Sequence, residues 1–148
     1  MMSEQAQKKI FYWPIRVYHE DIDSMGIVYY ANYLKFLERA RTEWLRAAGI
    51  NQLALHQETG IWLVVRSMTL DYHASARLDD QLQVSVRIEG RSRTSMTISQ
   101  EIETEEKLLL SASVKIVSAK ELYTPSGKKT MKAAPIPTSV LTALDAYL

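Results

Sequence analysis

One helical stripe restricts what this chain can fold into more than any other feature. Tyr33, Phe36, Leu37, Ala40, Trp44, Ala47 and Ala48 recur at i, i+3, i+4, i+7, i+11, i+14 and i+15, the spacing of one face of a 3.6-residue period. Lys35, Glu38, Arg39, Glu43 and Arg46 occupy the opposite face, with Arg39 and Glu43 one turn apart. Gly49 is placed to end the helix at C′, and Asn32 to cap its start without the acid or amide three residues on that would complete a capping box. A lone helix of this length needs one broad apolar surface against which to bury its stripe.

The rest of the chain supplies that surface as strands. "IFYWPIRVY" alternates Phe11, Trp13, Ile15 and Val17 onto one face, and Pro14, which cannot donate to a ladder, places this strand at a sheet edge or an irregularity. After a short linker, "IWLVVRSMTLDY" opens with five apolar residues, as a strand buried on both faces would. "LQVSVRI" and "MTISQEI" alternate through Leu82, Val84, Val86 and Ile88 and through Met96, Ile98 and Ile102. Beyond the charged turn "ETEEK", Leu108, Leu110, Ala112, Val114 and Ile116 share a face. "GKKTMKAAPIP" reads as loop, and Val140, Leu141, Leu144, Tyr147 and Leu148 return to helical spacing. About five closely spaced strands joined by turns favour antiparallel pairing. The expected architecture is α+β: a curved antiparallel sheet wrapped around one long helix, in a single domain over 1–148 with a core over about 10–118 and a tail over 119–148.

Composition limits the function. A formal charge of +1 provides no overall field for nucleic acid or an anionic membrane, so an anion site has to come from a local basic cluster. The absence of cysteine excludes disulfides, a cysteine nucleophile and Cys-ligated zinc, and accords with a reducing compartment. "MMSEQAQKK" lacks an apolar core and no run of about 18 apolar residues occurs, so neither a signal peptide nor a membrane span is expected and the default location is cytoplasmic.

Several chemistries fail by inspection. There is no G-x-S-x-G elbow, and "SGKKT" lacks the earlier glycine of a P-loop. "DIDSMG" would place Asp21, Asp23 and Gly26 at positions 1, 3 and 6 of a calcium loop, but Met25 then falls at a ligand position and Asn32 where a bidentate acid belongs. His19 is the one imidazole near these acids, and His56 and His73 show no ligand spacing, so no metal is expected. What remains is a group of carboxylates ahead of a helix start, where unsatisfied amides and the helix dipole attract negative charge, whether from a side chain or from a ligand. An acid that caps or stabilises the helix is one explanation. However, Asp23 precedes Tyr33 by ten residues, too far for an ordinary N-cap, and the apolar "SMGIVYYAN" between them carries a glycine suited to an unusual turn. Such a segment could hold an acid over a ligand whose carbonyl faces a backbone amide.

The stretch "HEDIDSMGIVYYANYLKFLERAR", followed by "YHASARLDDQL", resembles the YbgC-like and 4-hydroxybenzoyl-CoA thioesterases of the hotdog-fold superfamily, and within them the YbgC branch associated with the bacterial Tol-Pal system. The elements agree in order from about residue 10 to 118. The resemblance implies an acyl-CoA thioesterase that forms a homodimer with a continuous sheet, commonly assembled into a homotetramer, with active sites at the dimer interface. It maps the catalytic carboxylate onto Asp23, as general base on water or as a nucleophile forming an anhydride, and the carbonyl-polarising amide onto Tyr30. Asp21 and Glu20 would orient the loop or face water. His19, Gly26, Val28 and Tyr29 are expected to line the substrate. Arg91 and Arg93 in "EGRSRTS" resemble the turn that contacts coenzyme A phosphates, although an ordinary solvated hairpin would look the same. Lys128, Lys129 and Lys132 form a second basic cluster, read as a flexible tail.

Two residues depart from the branch. Tyr30 stands where a His is frequent, and His19 where some relatives have Tyr, so the side-chain roles of both stay open. No cofactor is implied beyond the coenzyme A of the substrate. The alternatives are an aryl-CoA thioesterase of the hydroxybenzoyl type, and a catalytically weak protein that binds acyl-CoA or acyl carrier protein as a partner in a membrane-associated process. A hotdog dehydratase is disfavoured because its catalytic His is missing.

Overall fold

The computed structural model describes residues 8–148. The first seven residues, most of the N-terminal segment read as carrying no targeting signal, lie outside it. The elements are β1 (Phe11–Arg16), α1 (Tyr33–Ala47), α2 (Gln52–Thr59), β2 (Ile61–Tyr72), β3 (Gln81–Arg91), β4 (Ser95–Glu103), β5 (Leu108–Tyr123), β6 (Lys129–Ala133) and α3 (Thr138–Ala143), with short 3₁₀ turns at His19–Asp21, Tyr30–Asn32 and Asp145–Tyr147. All strands pair antiparallel in the order β1-β3-β4-β5-β2, and β6 adds to β5. β1 is an edge strand, the first of the two placements that Pro14 allows.

α1 lays its apolar stripe on this sheet. Phe36, Leu37, Ala40 and Trp44 are fully buried, against the inward-facing Leu82, Val84, Val86 and Ile88 of β3 and Met96, Ile98 and Ile102 of β4. Arg41 is buried too. It donates to Gln100 Oε1 at 3.0 Å, and Gln100 Nε2 donates to the Leu37 carbonyl at 3.1 Å, which ties the helix to β4 through a polar bond inside the core. Burial pushes the Arg41 guanidinium below its usual range, and neighbouring Glu38 opposes that shift. α1 ends as the sequence predicts. Gly49, at φ +86°, donates to the Arg46 carbonyl and Ile50 donates to that of Leu45, the paired bonds of a Schellman motif. On the exposed face Glu43 pairs with Arg46 rather than Arg39.

Four local expectations are corrected. The linker after α1 contains α2, capped by the Asn51 side chain on the Ala54 amide and closed by left-handed Gly60. The "GKKTMKAAPIP" loop contains a sixth strand. β5 runs past 118 to Tyr123 while β4 starts only opposite Val117, so the β5 edge on the β4 side would be unpaired beyond that point, and Lys129–Ala133 folds back to pair with it. Lys129 therefore belongs to an ordered hairpin, with its ammonium 2.7 Å from Glu121 Oε1. Finally, β2 is not covered on both faces. It is the free edge opposite β1, and Val64 and Val65 are 40% and 42% exposed. Among the described residues no helix is long and apolar enough to cross a membrane.

Candidate active site

The acidic segment folds into a tight hairpin. Ile22 bridges Val28, the Gly26 amide donates to the Asp23 carbonyl (3.0 Å), the Asp23 amide donates to the Ile27 carbonyl (2.9 Å), and Gly26 takes φ +79°. This is the bonding pattern of a three-residue loop closed by a bulge whose left-handed position suits glycine. Asp23 also accepts the Met25 amide on Oδ1 at 2.8 Å, which orients its carboxylate within the turn. Gly26 is thus a backbone determinant of the loop. Val28 is buried, donates to the Ala76 carbonyl and lines the site through its side.

Asp21 has a different environment from Asp23. It is 4% exposed, and its two oxygens accept the Tyr18 amide and Asn32 Nδ2, each at 2.8 Å, while its carbonyl accepts the Tyr29 amide. The first Asp of "DID" thereby clamps the exit of β1 to the start of α1. This corrects the reading of Asn32 as an N-cap: its backbone is helical and its side chain is committed to Asp21. α1 is instead entered through the 3₁₀ turn Tyr30–Asn32, whose first bond runs from the Asn32 amide to the Tyr29 carbonyl at 2.8 Å. The Tyr30 and Ala31 amides precede that bond and stand ahead of the helical ladder, where a negative oxygen is stabilised.

Asp23 and Tyr30 line one cleft of about 300 Å³ together with Ile27, Val28, Tyr33, Tyr72 and the 73–75 segment. Ile27, Tyr33, Tyr72 and the 73–75 segment were missed from sequence. Tyr33 is buried, with its hydroxyl accepting the Ala76 amide at 3.0 Å, and burial is the first cause holding its phenol above the usual range. Tyr72 packs edge-on to Tyr33 at 5.7 Å and donates to the Tyr30 carbonyl at 2.8 Å. Ile27 bridges Arg77 and so ties the acid's loop to the segment after β2. Alternation along β2 puts Tyr72 on the face of Met68 and Leu70, which is the signal that could have found it. The Tyr29 ring lies 4.8 Å from that of Tyr30, and its phenol is raised first by the neighbouring Tyr30 hydroxyl, with Asp23 a lesser contributor. His19 is exposed in its 3₁₀ turn and does not line the cleft.

Arg91 and Arg93 are not near this cleft. The cleft adjoins the Gln81 end of the sheet, whereas Arg91 ends β3 at its other end and Arg93 lies in the turn beyond. That strand has 11 residues, so its ends are about 33 Å apart at ~3.3 Å per residue.

A helix laid on a six-stranded antiparallel sheet, with an acid-bearing turn ahead of the helix start, is the hotdog architecture of thioesterases. Residues 25–111 match the family model described as Thioesterase superfamily. The chain is 42% identical over 133 residues to the acyl-CoA thioester hydrolase YbgC of Escherichia coli, covering 89% of this chain and 93% of that protein. It is 39% identical over 106 residues to the acyl-CoA thioesterase YbgC of Haemophilus influenzae, covering 72% and 78%. A solved 1,4-dihydroxy-2-naphthoyl-CoA thioesterase from Synechocystis superposes with a TM-score of 0.80 at 25% identity, over 93% of this chain and 96% of that one. The chain belongs to the thioesterase superfamily, among its YbgC-like members, and is a hydrolase.

Proposed function

We propose that this protein hydrolyses an acyl-CoA thioester to a carboxylic acid and free coenzyme A, with Asp23 as the reacting carboxylate. The observation that supports this reading is that Asp23, oriented by its own turn, lines one cleft with Tyr30, the first residue of the turn that enters α1. The Tyr30 N–H would receive the thioester oxygen, stabilising the charge that develops as the carbonyl becomes tetrahedral. Asp23 would then take a proton from an attacking water, or attack the carbonyl itself to give an anhydride that water opens. In either route the sulfur leaves as thiolate and is protonated from solvent. Asp21, its oxygens already committed to Tyr18 and Asn32, is suited to holding the loop rather than to reaction.

The rest of the reading concerns assembly. The exposed β2 edge and its half-exposed valines are suited to pairing with a second copy. Antiparallel pairing of two β2 edges would set the Arg91 end of one sheet alongside the cleft end of the other. Arg91 and Arg93 of one copy could then hold the coenzyme A phosphates of a substrate reacting in its neighbour, in a dimer that doubles to a tetramer. A cytoplasmic setting and a role beside the Tol-Pal system belong to the same reading, as does acyl carrier protein as an alternative acyl donor. The Tyr30, Tyr33 and Tyr72 rings lining the cleft favour an aromatic acyl group as the second reading.

A panel of short-chain, long-chain and aromatic acyl-CoAs assayed by thiol release tests the proposal. Turnover is expected with at least one class. The absence of turnover with every class, with binding retained, would leave a binding protein instead.

A further inference from the structure

We infer that Tyr72 is a positioning residue for the Tyr30 amide, a role that rests on the catalytic reading of the Asp23 cleft. An oxyanion donor works only if its N–H points at the place the oxygen will occupy, which requires the peptide planes around it to be held. The plane that contains the Tyr30 N–H also contains the Tyr29 carbonyl, and this carbonyl accepts the Asn32 amide at 2.8 Å. The next plane contains the Tyr30 carbonyl, and this accepts the Tyr72 hydroxyl at 2.8 Å. The two planes flanking Tyr30 are therefore held by different elements, one by the 3₁₀ turn itself and the other by the last residue of β2.

Tyr72 is in turn fixed on its far side. Its ring packs edge-on to Tyr33 at 5.7 Å, the Tyr33 hydroxyl accepts the Ala76 amide, and the Ala76 carbonyl accepts the Val28 amide from the loop of Asp23. The strand end, the helix start and the acid's loop form one connected set of bonds, and the Tyr72 hydroxyl is the member that reaches the turn carrying the amide. Tyr72 is 48% exposed and lines the cleft, so this bond is not accounted for by the need to satisfy a buried hydroxyl.

Tyr72→Phe removes that bond and keeps the ring on Tyr33. We expect kcat to fall about ten-fold, the scale of one neutral hydrogen bond acting in the transition state, with KM changed less than about two-fold and the melting temperature preserved. A second measurement does not depend on turnover. With benzoyl-CoA bound to Asp23→Asn protein, the thioester carbonyl stretch, read by Raman difference spectroscopy, should shift to lower frequency as the amide polarises it. In Asp23→Asn/Tyr72→Phe protein that shift should shrink. Unchanged kcat, a change confined to KM, or a carbonyl shift equal in the two backgrounds would each overturn the role of Tyr72. A fully active Asp23→Asn single variant would instead overturn the catalytic reading beneath it, so the two failures are distinguishable.

Discussion

At the scale of single residues, two aspartates two positions apart do different physical work. The Asp21 carboxylate is buried and accepts two bonds, whereas that of Asp23 is partly exposed in a cleft and accepts one from its own turn. Asp23→Asn should lower turnover by about 10²-fold or more with the fold and assembly intact, since it removes a base or nucleophile and little else. Asp21→Asn should show the opposite balance. The amide can still accept from Asn32 but presents N–H₂ to the Tyr18 amide, leaving a part-buried donor unpaired at a cost of about 1 kcal/mol. Thermal melts and turnover per folded molecule on both variants check the pair. If Asp23→Asn lost stability and kept its turnover, the acid would be a loop stabiliser.

At the scale of elements, the ends of the helix and of the β5–β6 hairpin are where local chemistry sets stability. At Gly49 an added Cβ would meet nothing within 4 Å, so Gly49→Ala tests the left-handed backbone alone. The expected loss is about 1–2 kcal/mol, visible in a denaturant melt as a lower midpoint at unchanged slope. The hairpin carries a pH-dependent contribution. Lys129 at 2.7 Å holds the Glu121 carboxyl below its ordinary range, and Trp62 Nε1 and His56 add to that pull while burial opposes it. In the folded state Glu121 therefore binds its proton at lower pH than in the unfolded chain. The resulting stability is present above the unfolded value of about 4.3 and is lost as the pH falls through the depressed folded value. Glu121→Gln should thus lower the melting temperature at neutral pH, and the gap from the parent should close in acid. A gap that persisted there would mean that the carboxylate's charge contributes nothing.

At the scale of the whole molecule, the Asp23 cleft lies at one end of the sheet and Arg91 and Arg93 at the other, which makes the proposed division of substrate binding between two copies testable. Arg91→Glu/Arg93→Glu should raise KM for an acyl-CoA far more than it lowers kcat, because a phosphate contact is made equally in ground and transition states. Hydrolysis of an acyl-pantetheine, which lacks the nucleotide, should be nearly indifferent to the change. Equal effects on both substrates would place the nucleotide elsewhere. The free β2 edge makes the companion prediction that light scattering finds a dimer or tetramer at micromolar concentration, and that Val65→Lys shifts the population toward monomer. A stable monomer in the parent protein would contradict both the assembly and any site shared between copies.

By itself the sequence determined what depends on near neighbours: the α1 stripe and its Gly49 stop, the alternation of β3, β4 and β5, the edge position implied by Pro14, and an acid and a glycine spaced for one tight turn. Periodicity and backbone permissiveness are local properties, and a few consecutive residues are enough to express them. Tertiary structure decided what depends on pairing over long separations. The β6 segment is exposed throughout and carries no alternation, and it became a strand only because β5 outran β4 and left backbone groups to satisfy. Asn32 was free to cap a helix until Asp21, buried eleven residues earlier, engaged its side chain. Tyr72 met Tyr30 across a separation of 42 residues, a meeting that no local pattern encodes because sheet topology alone brings that strand end to the helix start.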